Sequence, residues 1–147
     1  MIVPVDSLPP EHRELIQRAL GVRAHAYAPY SNFWVGAALR TESGAIYTGS
    51  NVENASYGLS ICAEVASLTA ASSAGDRKVR AIAIVGGPKD AEGPLITPCG
   101  RCRQFISEFA QADGHDVLVL LADTAGRSAS QHSISELLPG AFQLLGK

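Results

Sequence analysis

An α/β fold is what this sequence predicts: a three-layer α/β/α sandwich built on one mixed sheet of about five strands. Three observations predict it. Two short, continuous apolar runs, "VRAIAIVG" at 79–86 and "DVLVLLAD" at 116–123, have the length and composition of strands buried on both faces. Segments of helical character stand before, between and after them. Residues 33–40 and 45–51 flank the turn "ESG" and read as a hairpin. The 147 residues suit one domain, and no repeat, low-complexity tract or Pro/Gly/Ser linker divides them, so 1–147 is read as a single domain.

Each element has its own warrant. Residues 11–27 predict an amphipathic helix: Glu11 and Glu14 suit the positive end of its dipole, Leu15, Ile16, Ala19 and Leu20 share a face, and Pro29 stops it. The hairpin strands follow. A second helix is expected from about residue 62 to Ala74, closed by Gly75. The first apolar run is the next strand, and residues 87–98 form a Gly/Pro-rich loop. A third helix starts near Cys99 and puts Cys102, Phe105, Ile106 and Phe109 on one side. The second apolar run is followed by a short strand near 127–131. A brief last helix then opens at "SISELL", with Ser133 and Glu136 at capping-box spacing.

Bulk properties exclude several classes. A hydrophobic fraction of 46% supports a real core, and a formal charge of −2 shows no bias toward nucleic acid or membrane. No apolar run is long enough to span a bilayer, and the start lacks a basic segment followed by an apolar one. The cysteines are three, an odd number that does not suit a disulfide scaffold. Thiols kept for metal or chemistry in a reducing cytoplasm are the leaner reading.

Those cysteines carry the chemistry. Cys99 and Cys102 stand at helical spacing at a predicted helix start, where the dipole stabilises thiolates. Cys62 opens another predicted helix. Two such helix starts side by side supply three thiolates to one zinc ion and leave a fourth position open, as in a catalytic site. Glu64, two residues past Cys62, stands where it can handle the proton of a bound water. Blander readings remain beside this one. The Cys-x-x-Cys pair also suits redox chemistry, though without a preceding tryptophan. A structural zinc needs a fourth ligand from His12, His25, His115 or His132, none compactly spaced from a cysteine. Cys62 alone suits a small core residue.

The order and wording of four segments, "YAPYSNFWVGAAL", "GSNVENASYGLSICAE", "PCGRCRQF" and "ELLPGAF", resemble the small homotetrameric zinc-dependent cytidine deaminases. The resemblance spans residues 27–142. It implies the cytidine deaminase-like fold, one Zn²⁺ per chain held by Cys62, Cys99 and Cys102, and a nucleoside substrate. It implies attack of activated water at C4 of cytosine with loss of ammonia, and Glu64 as the proton shuttle. It further implies that backbone at Ala63 and Thr97 holds the base, that Asn51 and Glu53 grip the ribose hydroxyls, and that Phe33 lines the nucleoside pocket. Tyr57 and Phe142 match residues that reach in from neighbouring subunits of a homotetramer with shared active sites. Read alone, Asn51 suits a strand-end turn, Glu53 a solvated acid, and the two phenylalanines plain core.

Two departures from the family pattern stand out. Val65 occupies the place, directly after the glutamate, where these enzymes often carry an arginine that offsets thiolate charge. Arg101, between the two cysteines, is the candidate replacement. Trp34 stands where the family often has proline. The Val65/Arg101 arrangement also resembles blasticidin S deaminase, which makes a deaminase of that or another modified cytosine nucleoside the alternative. A silent zinc module is disfavoured by Glu64, and a nucleic-acid editing role by the neutral charge.

Overall fold

The computed structural model describes residues 1–144. It comprises β1 (Val3–Pro4), α1 (Pro10–Arg23), β2 (Phe33–Thr41), β3 (Ile46–Ser50), α2 (Ala63–Ser73), β4 (Val79–Pro88), α3 (Gly100–Asp113), β5 (Leu118–Ala122), β6 (Ser128–Ser133) and α4 (Ile134–Leu137). The six strands form one sheet in the order β1-β6-β5-β4-β2-β3. Only β4 and β5 are parallel, and α3 makes their crossover; every other pair is antiparallel.

Alternation along the central strands builds the three layers. Ala81, Ala83 and Val85 of β4, with Leu120 and Ala122 of β5, face Leu15, Ile16 and Ala19 of α1. Ile82 and Ile84, with Val119 and Leu121, face Leu68 and Ala71 of α2 and Ile106 of α3. Leu15 and Ile16 are at most 1% exposed, and burial of each stabilises the fold by about 1.5–3 kcal/mol. α2 buries Ala63, Glu64, Val65, Ser67, Leu68 and Ala71, and leaves Thr69, Ala70 and Ser73 to solvent. It lies directly on β3: a Cβ at Gly49 would stand 2.5 Å from the Ser67 nitrogen and 2.9 Å from the Ala63 oxygen. That close approach fixes the turn of α2 that carries Glu64.

Three expectations need correction. The first helix ends at Arg23, not near residue 27. Beyond it the backbone is claimed by another segment: Tyr27 N–H donates to the Asn51 oxygen at 3.0 Å, and the Tyr27 oxygen accepts from Glu53 N–H at 2.8 Å. The sheet has six strands because Val3–Pro4 pairs with β6, too short a run to show any alternation. The polar strand after the second apolar run reaches Ser133 and lies inside the sheet, between β1 and β5. The cap of α4 forms as expected, with Glu136 N–H donating to Ser133 Oγ at 3.2 Å.

Asp76, just past α2, ties that helix to the hairpin. Its Oδ2 accepts from Thr41 Oγ1 at 2.7 Å, Ser43 Oγ at 2.8 Å and the Tyr47 hydroxyl at 3.1 Å. These bonds, Thr41 foremost, hold its carboxyl below the usual value. The stabilising effect is therefore full above the unfolded aspartate pKa of about 3.9 and is lost as pH falls through the lower folded value. Asp76→Asn is expected to unfold at lower denaturant than wild type at neutral pH. The gap should close progressively below about pH 4; a gap independent of pH would show that the charge contributes nothing.

Candidate active site

The topology collects the site at one end of the sheet. β3 and β4 both run antiparallel to β2, so their carboxyl ends lie together beside the start of β2. Phe33 pairs with Pro88 and Gly36 with Ser50. From these ends the chain passes through 51–62 into α2 and through 89–99 into α3. Ligands of open α/β sheets gather beyond such carboxyl ends.

A cavity of about 300 Å³ opens there. Cys62 is the N-cap of α2, and Glu64 follows two residues later in its first turn. Cys99 is the N-cap of α3, and Cys102 lies in that helix's first turn. All four side chains line the cavity, together with Ala63, Arg101, Thr97, Asn51, Glu53 and Tyr57. Val35, Ser60, Ile61 and Ile96 complete its wall.

The electrostatics are those of a site prepared for a cation. The facing Cys102 thiol is the largest influence on Cys62, and it helps lower the Cys62 pKa to about 7. Arg101 and Cys99 assist, against burial and the Glu64 charge. The same pairing pushes the Cys102 thiol up, since two adjacent sulfurs do not both ionise unaided. Glu64 is 5% exposed, and burial raises its carboxyl above the ordinary carboxylate range.

The donor set fits zinc: three soft sulfurs, two at helix N-caps, with a carboxylate beside them and cavity in front. Among the described residues no three His, Cys, Asp or Glu side chains already stand in metal-binding geometry.

The ribose pair expected from sequence proves to be firmly anchored. Asn51 Oδ1 accepts from Val35 N–H at 2.8 Å, and its Nδ2 donates to the Phe33 oxygen at 2.8 Å. Glu53 Oε1 accepts from the N–H groups of Tyr30 and Ser31 at 2.9 and 3.1 Å, and Oε2 from Ser31 Oγ. Both side chains keep unused hydrogen-bonding capacity on the cavity wall.

The remaining residues singled out from the sequence take different positions. Phe33 lies beside the wall, its ring near Gly86, and is 37% exposed. Tyr57, 76% exposed, stands on the rim of its own chain's cavity, edge-on to Tyr30. Phe142 is 68% exposed and does not line this cavity; its oxygen accepts from Gln104 and Gln111 of α3. Val65 is 6% exposed, packed inward, whereas Arg101 is exposed at the cavity. Trp34 carries Lys89 over its ring at 4.9 Å. Ser31 and Tyr30, which hold Glu53, were not singled out from sequence; the only signal was their place in "YAPYSNF".

Helix N-termini presenting three thiols and one buried carboxylate to a cavity define a zinc-deaminase type of site. The family profile described as the cytidine and deoxycytidylate deaminase zinc-binding region matches residues 9–114. The chain belongs to that family and is an enzyme. It is 46% identical to a cytidine deaminase of Halalkalibacterium halodurans over 90% of this chain and 94% of the relative. It is 43% identical to a cytidine deaminase of Mycobacterium tuberculosis over 82% of this chain and 81% of the relative. The crystal structure of cytidine deaminase from Burkholderia pseudomallei superposes with a TM-score of 0.79 at 45% identity, covering 89% of this chain and 98% of that one. That agreement extends the likeness to the whole α/β architecture.

Proposed function

We propose that this enzyme hydrolyses cytidine and 2′-deoxycytidine to uridine and 2′-deoxyuridine, releasing ammonia, as a step of pyrimidine salvage in the cytoplasm. One observation carries the reading: a buried carboxyl, Glu64, shares a cavity with three thiols and with the polar pair Asn51 and Glu53. One zinc ion per chain, held by Cys62, Cys99 and Cys102, supplies when bound the Lewis acidity that makes water a nucleophile at neutral pH. Glu64 takes one proton from the attacking water and passes it to ring N3, then takes the second proton, from the oxygen newly bonded to C4, and delivers it to the departing amine. Backbone at Ala63 and Thr97 holds the base, Asn51 and Glu53 the ribose hydroxyls, with Phe33 beside the sugar end. Arg101 offsets the thiolate charge, a role that buried Val65 leaves open. The net charge of −2 and the absence of a basic stripe favour a small nucleoside over nucleic acid. Among the described residues no helix is long and apolar enough to cross a membrane. The likeness over residues 9–114 and beyond supports one domain for 1–147.

The test is the fall in absorbance as cytidine becomes uridine, with and without a chelator and with blasticidin S in parallel. Cytidine turnover that disappears on chelation is expected. Turnover of blasticidin S alone would reassign the substrate, and bound zinc without turnover of either would leave a zinc-binding module.

A homotetramer with shared sites belongs to the same reading. Phe142 is presented outward, and the stacked rings of Phe105 and Phe109 border an apolar surface cavity of about 380 Å³ on α3, suited to a second chain. Phe142→Ala is expected to raise KM for cytidine by about tenfold, since base–aromatic stacking contributes about 1–3 kcal/mol. Co-assembly of Glu64→Gln chains with Phe142→Ala chains should restore some sites with a wild-type KM. A mixture showing only the parents' kinetics, or a monomer by light scattering, would discard the arrangement.

A further inference from the structure

We propose that Ser31 is a positioning residue for sugar recognition: its hydroxyl, delivered by the turn at 30–32, latches the Glu53 carboxylate in the orientation that meets the ribose hydroxyls. The inference rests on the reading of Glu53 given under Proposed function and deepens it.

The latch is built from both sides. Ser31 Oγ donates to Glu53 Oε2 and itself accepts Phe33 N–H at 3.0 Å. With its acceptor side taken by a backbone N–H, the hydroxyl proton points at the carboxylate and nowhere else. The N–H groups of Tyr30 and Ser31 hold the other oxygen, so both oxygens of Glu53 are anchored to one turn. That turn needs an unusual backbone. Asn32 has φ 55°, the only positive φ outside glycine among the described residues, and its N–H returns to the Ala28 oxygen at 3.0 Å. Asparagine is one of the few residues that adopt this conformation at low cost.

Glu53 has somewhere else to go without the latch. It stands between the cavity that holds Cys62 and Glu64 and an adjoining cavity of about 360 Å³ lined by Tyr30, Ser31, Tyr57 and Ser60. Among the described residues no lysine or arginine pairs with it. Neutral donors alone aim it and hold its carboxyl below the usual range, Ser31 foremost. An ionised acceptor that faces hydroxyl donors binds them more strongly than a neutral one.

The test compares cytidine with 2′,3′-dideoxycytidine, which lacks both ring hydroxyls. Ser31→Ala is expected to raise KM for cytidine about tenfold with kcat within about twofold, and to leave kcat/KM for the dideoxy substrate unchanged. Ser31→Thr, which keeps the hydroxyl, should restore the cytidine KM. In a Glu53→Gln background Ser31→Ala should have no further effect. Should Ser31→Ala lose the fold, Ser31→Thr against Ser31→Val repeats the comparison, since these differ by hydroxyl against methyl. A KM rise on Glu53→Gln with none on Ser31→Ala, or an equal loss on both substrates, overturns the latch and leaves the ribose reading standing. An unchanged cytidine KM in Glu53→Gln overturns the ribose reading and the latch with it.

Discussion

Glu64→Gln is expected to keep zinc and fold while kcat for cytidine falls by about 10²–10⁴-fold, the span that positioned proton transfer ordinarily contributes. Glutamine has the size of glutamate, so the first turn of α2 keeps its packing against Gly49. The side chain is 5% exposed, and replacing a buried acid by a neutral amide removes the cost of placing charge there. Stability should therefore hold or rise slightly. What glutamine cannot do is accept the two protons of the attacking water in turn and deliver one to N3 and the other to the amine. Metal analysis, melting temperature and steady-state kinetics on one preparation separate these effects. Activity within tenfold of wild type would place the shuttle on another group. A loss of zinc together with activity would make Glu64 a ligand.

Much of this site was legible because its chemistry is local in the chain. Cys99 and Cys102 lie one helical turn apart, and Glu64 is two residues from Cys62, so a reading of spacing reaches all four. The central strands were legible for a related reason. β4 and β5 are covered on both faces, so their sequences are apolar without interruption. Contacts between distant segments were not legible. The bonds of Asn51 to residues 33 and 35, and of Glu53 to residues 30 and 31, join positions 16 to 23 apart in the chain. They depend on the register that pairs Gly36 with Ser50, which no periodicity announces.

The misplaced boundaries have the same origin. Helical character continues past Arg23, but the Arg23 guanidinium donates to the oxygens of Trp34, Gly87 and Pro88, tying the end of α1 to β2 and β4. Tyr27 then leaves to bridge Val52. Tertiary hydrogen bonding overrides local propensity there. β1 is only two residues long, Val3 and Pro4, paired with Ala129 and Ser128 and with Val3 packed on the core, so it carries no alternation of its own.

Cys102→Ala should abolish zinc binding and turnover together. Cys102 is 1% exposed in the first turn of α3, and two remaining thiols leave a site that no longer holds a divalent ion against competition. A metal bound only by the folded state stabilises it. At a free concentration near 1,000 times Kd the contribution is about 4 kcal/mol, or about 8–16 °C in melting temperature for a chain of this size. Wild type treated with chelator should fall by that amount, and Cys102→Ala should start from the lower value and not respond. Cys102→Ser separates metal from packing, because it fills nearly the same space yet supplies no thiolate; it too should be empty and insensitive to chelator. Arg101 enters the same series. Three thiolates around Zn²⁺ carry a net charge of −1, and Arg101 already lowers the Cys62 pKa across the cavity. Arg101→Ala should therefore keep zinc in buffer and release it at a lower chelator concentration than wild type. An unchanged release point would remove Arg101 from charge compensation, and one tightly held zinc per chain in Cys102→Ala would remove Cys102 from the ligand set.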